Sequence, residues 1–92
     1  MYVNISILKP NPGYEPQTIE SMHRFSQAAR TQPGLKMVTT LRETESGDLF
    51  GLAIWESKEA ARAASPAMTA AVEHDDFDTW VADMKNFRLS EV

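Results

Sequence analysis

The segment from residue 49 to residue 55 is apolar on both of its faces. Its seven residues, LFGLAIW, carry no charge. A strand with one solvent-exposed face alternates apolar and polar residues, so an unbroken apolar run of this length is typical of a strand that is covered on both sides. One face is bulky throughout, whereas the other is small in the middle, at Gly51 and Ala53, and large at its ends. The pattern predicts the central strand of a sheet.

The N-terminal half of the chain predicts a strand, a helix and a second strand. Residues 2–8 alternate with a period of two, which places Asn4 and Ser6 on one face and three aliphatic side chains on the other. Apolar residues recur every three or four positions between about residues 15 and 31, as on one face of a helix. Residues 35–43 have the composition of a strand, and the polar loop that follows suits a hairpin to the central strand.

The C-terminal half predicts helical segments followed by a last strand. Ser57 is a favourable N-cap, so a helix is expected to begin directly after it. Ser65 and Pro66 form a second N-cap with proline at the first helical position, which predicts that the helix restarts there at a new angle. One or two further helical turns are predicted between residues 77 and 84, and residues 85–91 alternate as in a strand.

The predicted order of elements is β-α-β-β-α-β. With helical crossovers and a central hairpin, this order gives the α+β ferredoxin-like fold, a four-stranded antiparallel sheet with its helices on one face. Residues 1–92 are expected to form one domain. The other face of the sheet would be bare although the central strand is apolar on both sides, and a bare apolar face is an association surface. The sequence therefore predicts a homodimer whose two sheets pack face to face.

Composition narrows the classes of partner. Lysine and arginine number 9 against 13 aspartate and glutamate residues, which gives a net charge of −4, so nucleic acid is not an expected partner. The chain has no cysteine, which excludes disulfides and thiolate metal sites and suits a reducing cytoplasm. It shows no segment like a secretory signal and no apolar run of the ~18 residues that a spanning helix needs, so a cytoplasmic protein without a membrane partner is expected.

Two stretches carry a resemblance to a known family. Pro33-Gly34-Leu35 after the first helix, and the run from Ile54 to Ala60 (IWESKEA) at the strand-to-helix corner, resemble the antibiotic biosynthesis monooxygenase family. The resemblance implies a small dimeric α+β barrel protein, and it covers nearly the whole chain in element order and length. The tryptophan-acid-serine corner is its most specific part, and this corner marks the fold rather than a reaction.

The resemblance implies more than one function. Some members are cofactor-independent oxygenases of polycyclic aromatic phenols, which implies a monooxygenase acting on a hydrophobic, aromatic small molecule without metal or flavin. Others degrade haem with a first-strand asparagine, a helical tryptophan and an iron-ligating histidine. Asn4 and His74 stand near the first and last of these positions, but alanine occupies the place of the tryptophan, within Ala63-Ala64, which argues against haem degradation. A non-catalytic dimeric module that binds a ligand or a partner is a further alternative.

Candidate site residues follow from the monooxygenase function. Asn4 is expected to orient or stabilise an oxyanion and His74 to transfer a proton, although His74 is more simply a surface histidine at a helix end. Both tryptophans also suit the core. Whether the small residues of the central strand share the face of Asn4 depends on a register that the sequence leaves open. The candidates for substrate binding are a polar residue, two small residues and two indoles: Ser6, Gly51, Ala53, Trp55 and Trp80.

No further catalytic motif is present in the sequence. His74, Asp75 and Asp76 are adjacent in the chain, and adjacent side chains diverge instead of converging on a metal, so no metal site is expected. There is no Gly-x-Ser-x-Gly sequence, no glycine-rich phosphate loop and no paired-histidine motif. Hydrolase, kinase and nicotinamide-dependent functions are therefore disfavoured.

Overall fold

Four strands and three helices follow one another in the computed structural model, which describes all 92 residues. The elements are β1 (Tyr2–Pro10), α1 (Glu15–Arg30), β2 (Leu35–Arg42), β3 (Leu49–Trp55), α2 (Lys58–Ala70), α3 (Phe77–Trp80) and β4 (Val81–Ser90). The strands form one antiparallel sheet in the order β2-β3-β1-β4. This topology confirms the predicted ferredoxin-like α+β fold.

Strand register decides which side chains share a face of the sheet. β1 and β3 pair so that Asn4 lies opposite Ala53 and Ser6 lies opposite Gly51. Residues directly opposite each other in an antiparallel pair point to the same face. The two polar and the two small side chains therefore share one face, and this is the face that the helices cover.

The core lies between this face and the helices. At one end, Trp55 is fully buried in a cluster that includes Met68 of α2. At the other end, Leu8 and Leu49 are buried together with Met22 of α1. Large side chains therefore fill both ends of the layer between sheet and helices, and the smallest residues of β3 lie in its middle.

The opposite face of the sheet carries no helix. Four large apolar side chains on the two edge strands are each 44–52% exposed. The register places each of them beside an apolar side chain of β1 or β3, so together they form one continuous apolar surface. We call this surface the open face; its edge-strand members are Met37, Leu41, Phe87 and Leu89.

The prediction that the helix restarts at Ser65 and Pro66 is wrong. α2 continues through both residues as one helix. Ala61, Ala64 and Met68 are buried at helical spacing on both sides of the proline. Because this buried apolar stripe runs past Pro66, the helix continues there at the expense of one backbone hydrogen bond.

The last strand also begins earlier than predicted, at Val81 instead of residue 85, and α3 is a single turn. Val81 pairs with Pro10 at the far end of β1, and the backbone N–H of Asn11 donates to the carbonyl of Trp80 at 2.8 Å. These long-range backbone bonds extend the sheet. They outweigh the helical spacing of the apolar residues in this segment, which is only a local signal.

Candidate functional site

A cavity of about 250 Å³ lies in the middle of the layer between the sheet and the helices. Asn4 and Ser6 line it from β1, and Gly51 and Ala53 line it from β3. The other walls are mostly apolar and come from α1, from β2 and from the segments that follow α2; they include Met22, Phe25, Val38, Val72 and Phe77. The cavity therefore suits a small hydrophobic molecule.

The cavity exists because β3 is small where it faces α1. A Cβ atom built on Gly51 would lie 3.5 Å from the Cε atom of Met22, which is an ordinary van der Waals contact. A methyl group at this position would therefore occupy part of the space without a clash. Gly51 and Ala53 leave the space open, while Leu49 and Trp55 close the layer on either side.

The buried amide of Asn4 has no partner within the protein. Its Oδ1 atom is inaccessible to solvent and accepts no hydrogen bond. Leaving a buried polar atom unpaired costs about 1–3 kcal/mol, and native structures seldom do so. Asn4 also lines the cavity, where the N–H groups of its amide suit a ligand that brings a hydrogen-bond acceptor.

Two further polar side chains, Ser6 and Asn86, line the cavity beside Asn4. The hydroxyl of Ser6 donates to Oδ1 of Asn86 at 2.8 Å, and the two residues lie opposite each other in the β1–β4 pairing. With its oxygen occupied, Asn86 still offers amide N–H groups. We call Asn4, Ser6 and Asn86 the polar strip; it runs along one side of a cavity that is otherwise mainly apolar.

A groove of about 670 Å³ adjoins the cavity. The polar strip lines both depressions, so cavity and groove meet along it. The groove runs between α2 and β4. Lys58 and Arg62 line it from the helix, and Arg88 lines it from the strand.

An ionic cluster fixes the segment after α2 against α1. Asp75 accepts a hydrogen bond from the hydroxyl of Ser21 at 2.6 Å and another from Nη2 of Arg24 at 3.0 Å. Nη1 of Arg24 donates to the carbonyl of Ala71 at 2.9 Å. Burial is the largest single influence and raises the pKa of Asp75, but the hydrogen bonds from Arg24 and Ser21 and the charge of Arg24 outweigh it and hold that pKa below its usual range. Ser21 lines the cavity, so the cluster sets the position of one wall.

Known proteins resemble this chain in structure but not in sequence. No family model matches the sequence, and no curated protein matches it. SnoaB, a cofactor-independent oxygenase from Streptomyces nogalater, superimposes with a TM-score of 0.79 at 16% identity, over 99% of this chain and 92% of that one. A proposed antibiotic biosynthesis monooxygenase from Deinococcus radiodurans gives 0.83 at 16% identity, over 100% and 93%. Another, from Nitrosomonas europaea, gives 0.79 at 14% identity, over 100% and 99%.

This chain has the fold of the antibiotic biosynthesis monooxygenases. The superpositions include nearly the whole of each chain, whereas the identities are low, so the likeness concerns the fold. The strand-to-helix corner that carries the sequence resemblance lies between β3 and α2. There the Oγ atom of Ser57 accepts a hydrogen bond from the backbone N–H of Ala60 at 3.1 Å, as an N-cap residue does.

Within this antibiotic biosynthesis monooxygenase fold, four of the predicted site residues line one cavity. They are Asn4, Ser6, Gly51 and Ala53. The structure brings them together because the register puts the even-numbered residues of β1 opposite the odd-numbered residues of β3.

The structure does not bring the other three predicted residues to the cavity or to the groove. Trp55 is wholly buried in the core, where its indole N–H has no partner. Trp80 packs edge-on against Phe77 with 6.2 Å between ring centroids. His74 lies in the turn after α2; its side chain is 94% exposed, and its Nε2 atom lies 3.5 Å from a carboxylate oxygen of Glu73. Haem ligation by His74 from within the cavity is not compatible with this position.

Several residues of the site were missed by reasoning from the sequence. Ser21 lies next to the apolar stripe of α1, so the helical spacing in the sequence already indicates that it is buried. Asn86 carries a weaker signal, an amide on an alternating strand. Asp75, Arg62 and Arg88 carry none, because their roles depend on which elements meet in the folded chain.

The structure contains no cluster of three or more His, Asp or Glu side chains with the spacing of a metal site. None of its helices has the length and apolar character needed to cross a membrane.

Proposed function

We propose that this protein is a cofactor-independent monooxygenase that acts on a hydrophobic, aromatic small molecule bound in the cavity. The observation that carries the proposal is a mainly apolar cavity lined by the amide of Asn4, a side chain that offers N–H donors there. The shared fold with SnoaB supports the same class of reaction. The lack of cysteine suits work in a reducing cytoplasm.

The proposed chemistry places most of the reactivity in the substrate. A phenol with an adjacent CH₂ group forms an electron-rich anion that reacts with O₂; one oxygen atom enters as a carbonyl and the other leaves as water, so the substrate supplies all the electrons. The protein's contribution is to exclude water and hold the ring in a reactive position. The Asn4 amide has both an acceptor and a donor end, and the donor end stabilises the phenolate oxygen.

Oxygen consumption with hydroxylated anthrones tests this proposal directly. We expect uptake above the uncatalysed rate and, with ¹⁸O₂, one labelled oxygen atom in the product. Asn4→Ala should lower turnover by about 100-fold or more, since it removes the group that stabilises the developing charge. The matched control is Gln27→Ala, which removes an exposed amide on α1 and should leave turnover unchanged.

The outcome also separates an enzyme from a binding module. Tight binding of the phenols with no oxygen uptake would contradict the monooxygenase and favour the non-catalytic ligand-binding function. Oxygen uptake that survives in Asn4→Ala would remove Asn4 from the mechanism.

We also propose that two copies of the chain associate through the open face. An exposed apolar surface that extends over all four strands is unfavourable in water and suits a second, self-complementary copy. The helices lie on the other side of the sheet, so this association leaves the cavity and the groove accessible.

A further inference from the structure

The charged residues that line the groove are all cations. They are Lys58, Arg62 and Arg88, and no Asp or Glu side chain lines the groove. This composition is opposite to that of the chain as a whole, which has a net charge of −4. A local excess of positive charge on an acidic protein indicates a site for an anionic group.

None of the three cations is neutralised within the protein. Arg24 and Arg42 form ion pairs with carboxylates, but Lys58, Arg62 and Arg88 form none. Lys58 and Arg62 are also four residues apart on one helix, where like charges repel each other. An anion between α2 and β4 would relieve this repulsion.

The groove shares the polar strip with the cavity. Asn4 lies opposite Arg88 in the β1–β4 pairing, and it lines both depressions. A ligand whose ring fills the cavity can therefore extend past the polar strip and place a charged substituent among the cations. The guanidinium groups of Arg62 and Arg88 suit a carboxylate, because each presents paired N–H donors that match its two oxygens.

We infer that the groove is an anion subsite and that the ligand of this protein is an aromatic carboxylic acid. The ring occupies the cavity, and the carboxylate is bound by Arg62 and Arg88 with Lys58 beside them. The inference rests on the proposed function only in that an aromatic ligand occupies the cavity; it requires no turnover.

Calorimetric titration with 2-naphthoate and 2-naphthamide tests the inference. The two probes share a ring and differ in charge. We expect the wild-type protein to bind 2-naphthoate about tenfold or more tightly than 2-naphthamide, as for a charge-assisted hydrogen bond, and to lose this preference as salt is raised. The double variant Arg62→Gln/Arg88→Gln should lose most of this preference, because only Lys58 remains in the groove, and its affinity for 2-naphthamide should be unchanged.

The control is Arg30→Gln, which removes the same charge from an exposed position on α1 that lines neither the cavity nor the groove. It should keep the full preference for 2-naphthoate. Equal binding of both probes by the wild type, or a preference in the double variant as large as that of the wild type, would overturn the anion subsite and leave the proposed cavity intact. Failure of both probes to bind would overturn both. A retained preference for 2-naphthoate without oxygen uptake on any phenol would support the subsite and contradict only the monooxygenase.

Discussion

Gly34 connects α1 to β2 in a conformation that other residues adopt with difficulty. Its φ angle is +85°, and a Cβ atom at this position would lie 2.6 Å from the Cβ atom of Ala60 on α2. We expect Gly34→Ala to lower the free energy of unfolding by about 2–4 kcal/mol, because the left-handed backbone and the clash both oppose it. Urea unfolding followed by circular dichroism measures the loss.

Gly13 provides the matched control for this prediction. Its φ angle is +87°, but a Cβ atom there would meet nothing within 4 Å. Gly13→Ala should therefore cost only the backbone contribution, about 1–2 kcal/mol. Equal losses in the two variants would show that the close approach to Ala60 contributes nothing.

Asp75 makes the stability of the protein depend on pH. Because its pKa is lowered in the folded protein, its ionised form contributes stability that is fully present above the unfolded pKa of about 3.9 and is lost as the pH falls through the lower, folded value. We expect Asp75→Asn to be less stable than the wild type by about 1–3 kcal/mol at pH 7, with the difference shrinking below pH ~4. Urea titrations at pH 7, 5, 4 and 3 measure this.

The control for Asp75 is Asp83→Asn, which changes an exposed carboxylate that forms no ion pair. Its stability should follow that of the wild type at every pH. A deficit in Asp75→Asn that stays constant from pH 7 to pH 3 would contradict the electrostatic account and point to packing alone.

At the residue scale, the sequence predicts the polar and small residues of the cavity but not their partners. Alternation alone places Asn4 with Ser6 and Gly51 with Ala53. That the two pairs share a face depends on the β1–β3 register, where a shift of one residue would separate them. His74 is exposed and Trp55 is buried because of how the elements pack in the folded chain, which local patterns do not determine.

Proline inside α2 shows how packing can outweigh local preference at the scale of an element. Pro66 is exposed and lies in the interior of the helix, where it has no N–H group to donate. Pro66→Ala should raise the free energy of unfolding by about 1–3 kcal/mol, since alanine restores that hydrogen bond and relieves the ring contact. Thermal unfolding followed by circular dichroism tests this.

Pro16 serves as the control because it lies in the first turn of α1, where a proline fits. Pro16→Ala should change the stability by less than about 0.5 kcal/mol. A loss of stability in Pro66→Ala would mean that Pro66 stabilises the protein chiefly by restricting the unfolded chain.

The sequence predicts the existence and order of the main elements better than their ends. β3 has the predicted boundaries because its apolar run is bounded by polar residues on both sides. The predicted start of β4 is wrong because the strand begins with the pairing of Val81 with Pro10, and these residues lie about seventy positions apart in the chain. Helical spacing is visible in a short window, whereas this pairing depends on the topology of the whole sheet.

At the scale of the whole molecule, the open face predicts a dimer. Sedimentation at micromolar concentration should show a species of twice the chain's mass. Leu89→Lys introduces a charge on the open face and should shift the protein to the single chain, because burying an unpaired ammonium group at an interface is costly.

Ser90→Lys is the matched control, since it adds the same charge one residue further along β4, on the side that the helices cover. It should sediment as the wild type does. A wild-type protein that remains folded as a single copy would contradict the association through the open face.

The buried, unpaired oxygen of Asn4 has a consequence for how this protein tolerates change. While the cavity is empty, the unpaired amide oxygen lowers the free energy of unfolding. A leucine of similar size would remove this cost. Selection for heat resistance alone would therefore favour loss of this asparagine early. The resulting proteins would keep the sheet, the helices and the cavity between them. They would no longer have the Asn4 amide, which distinguishes one ligand from another.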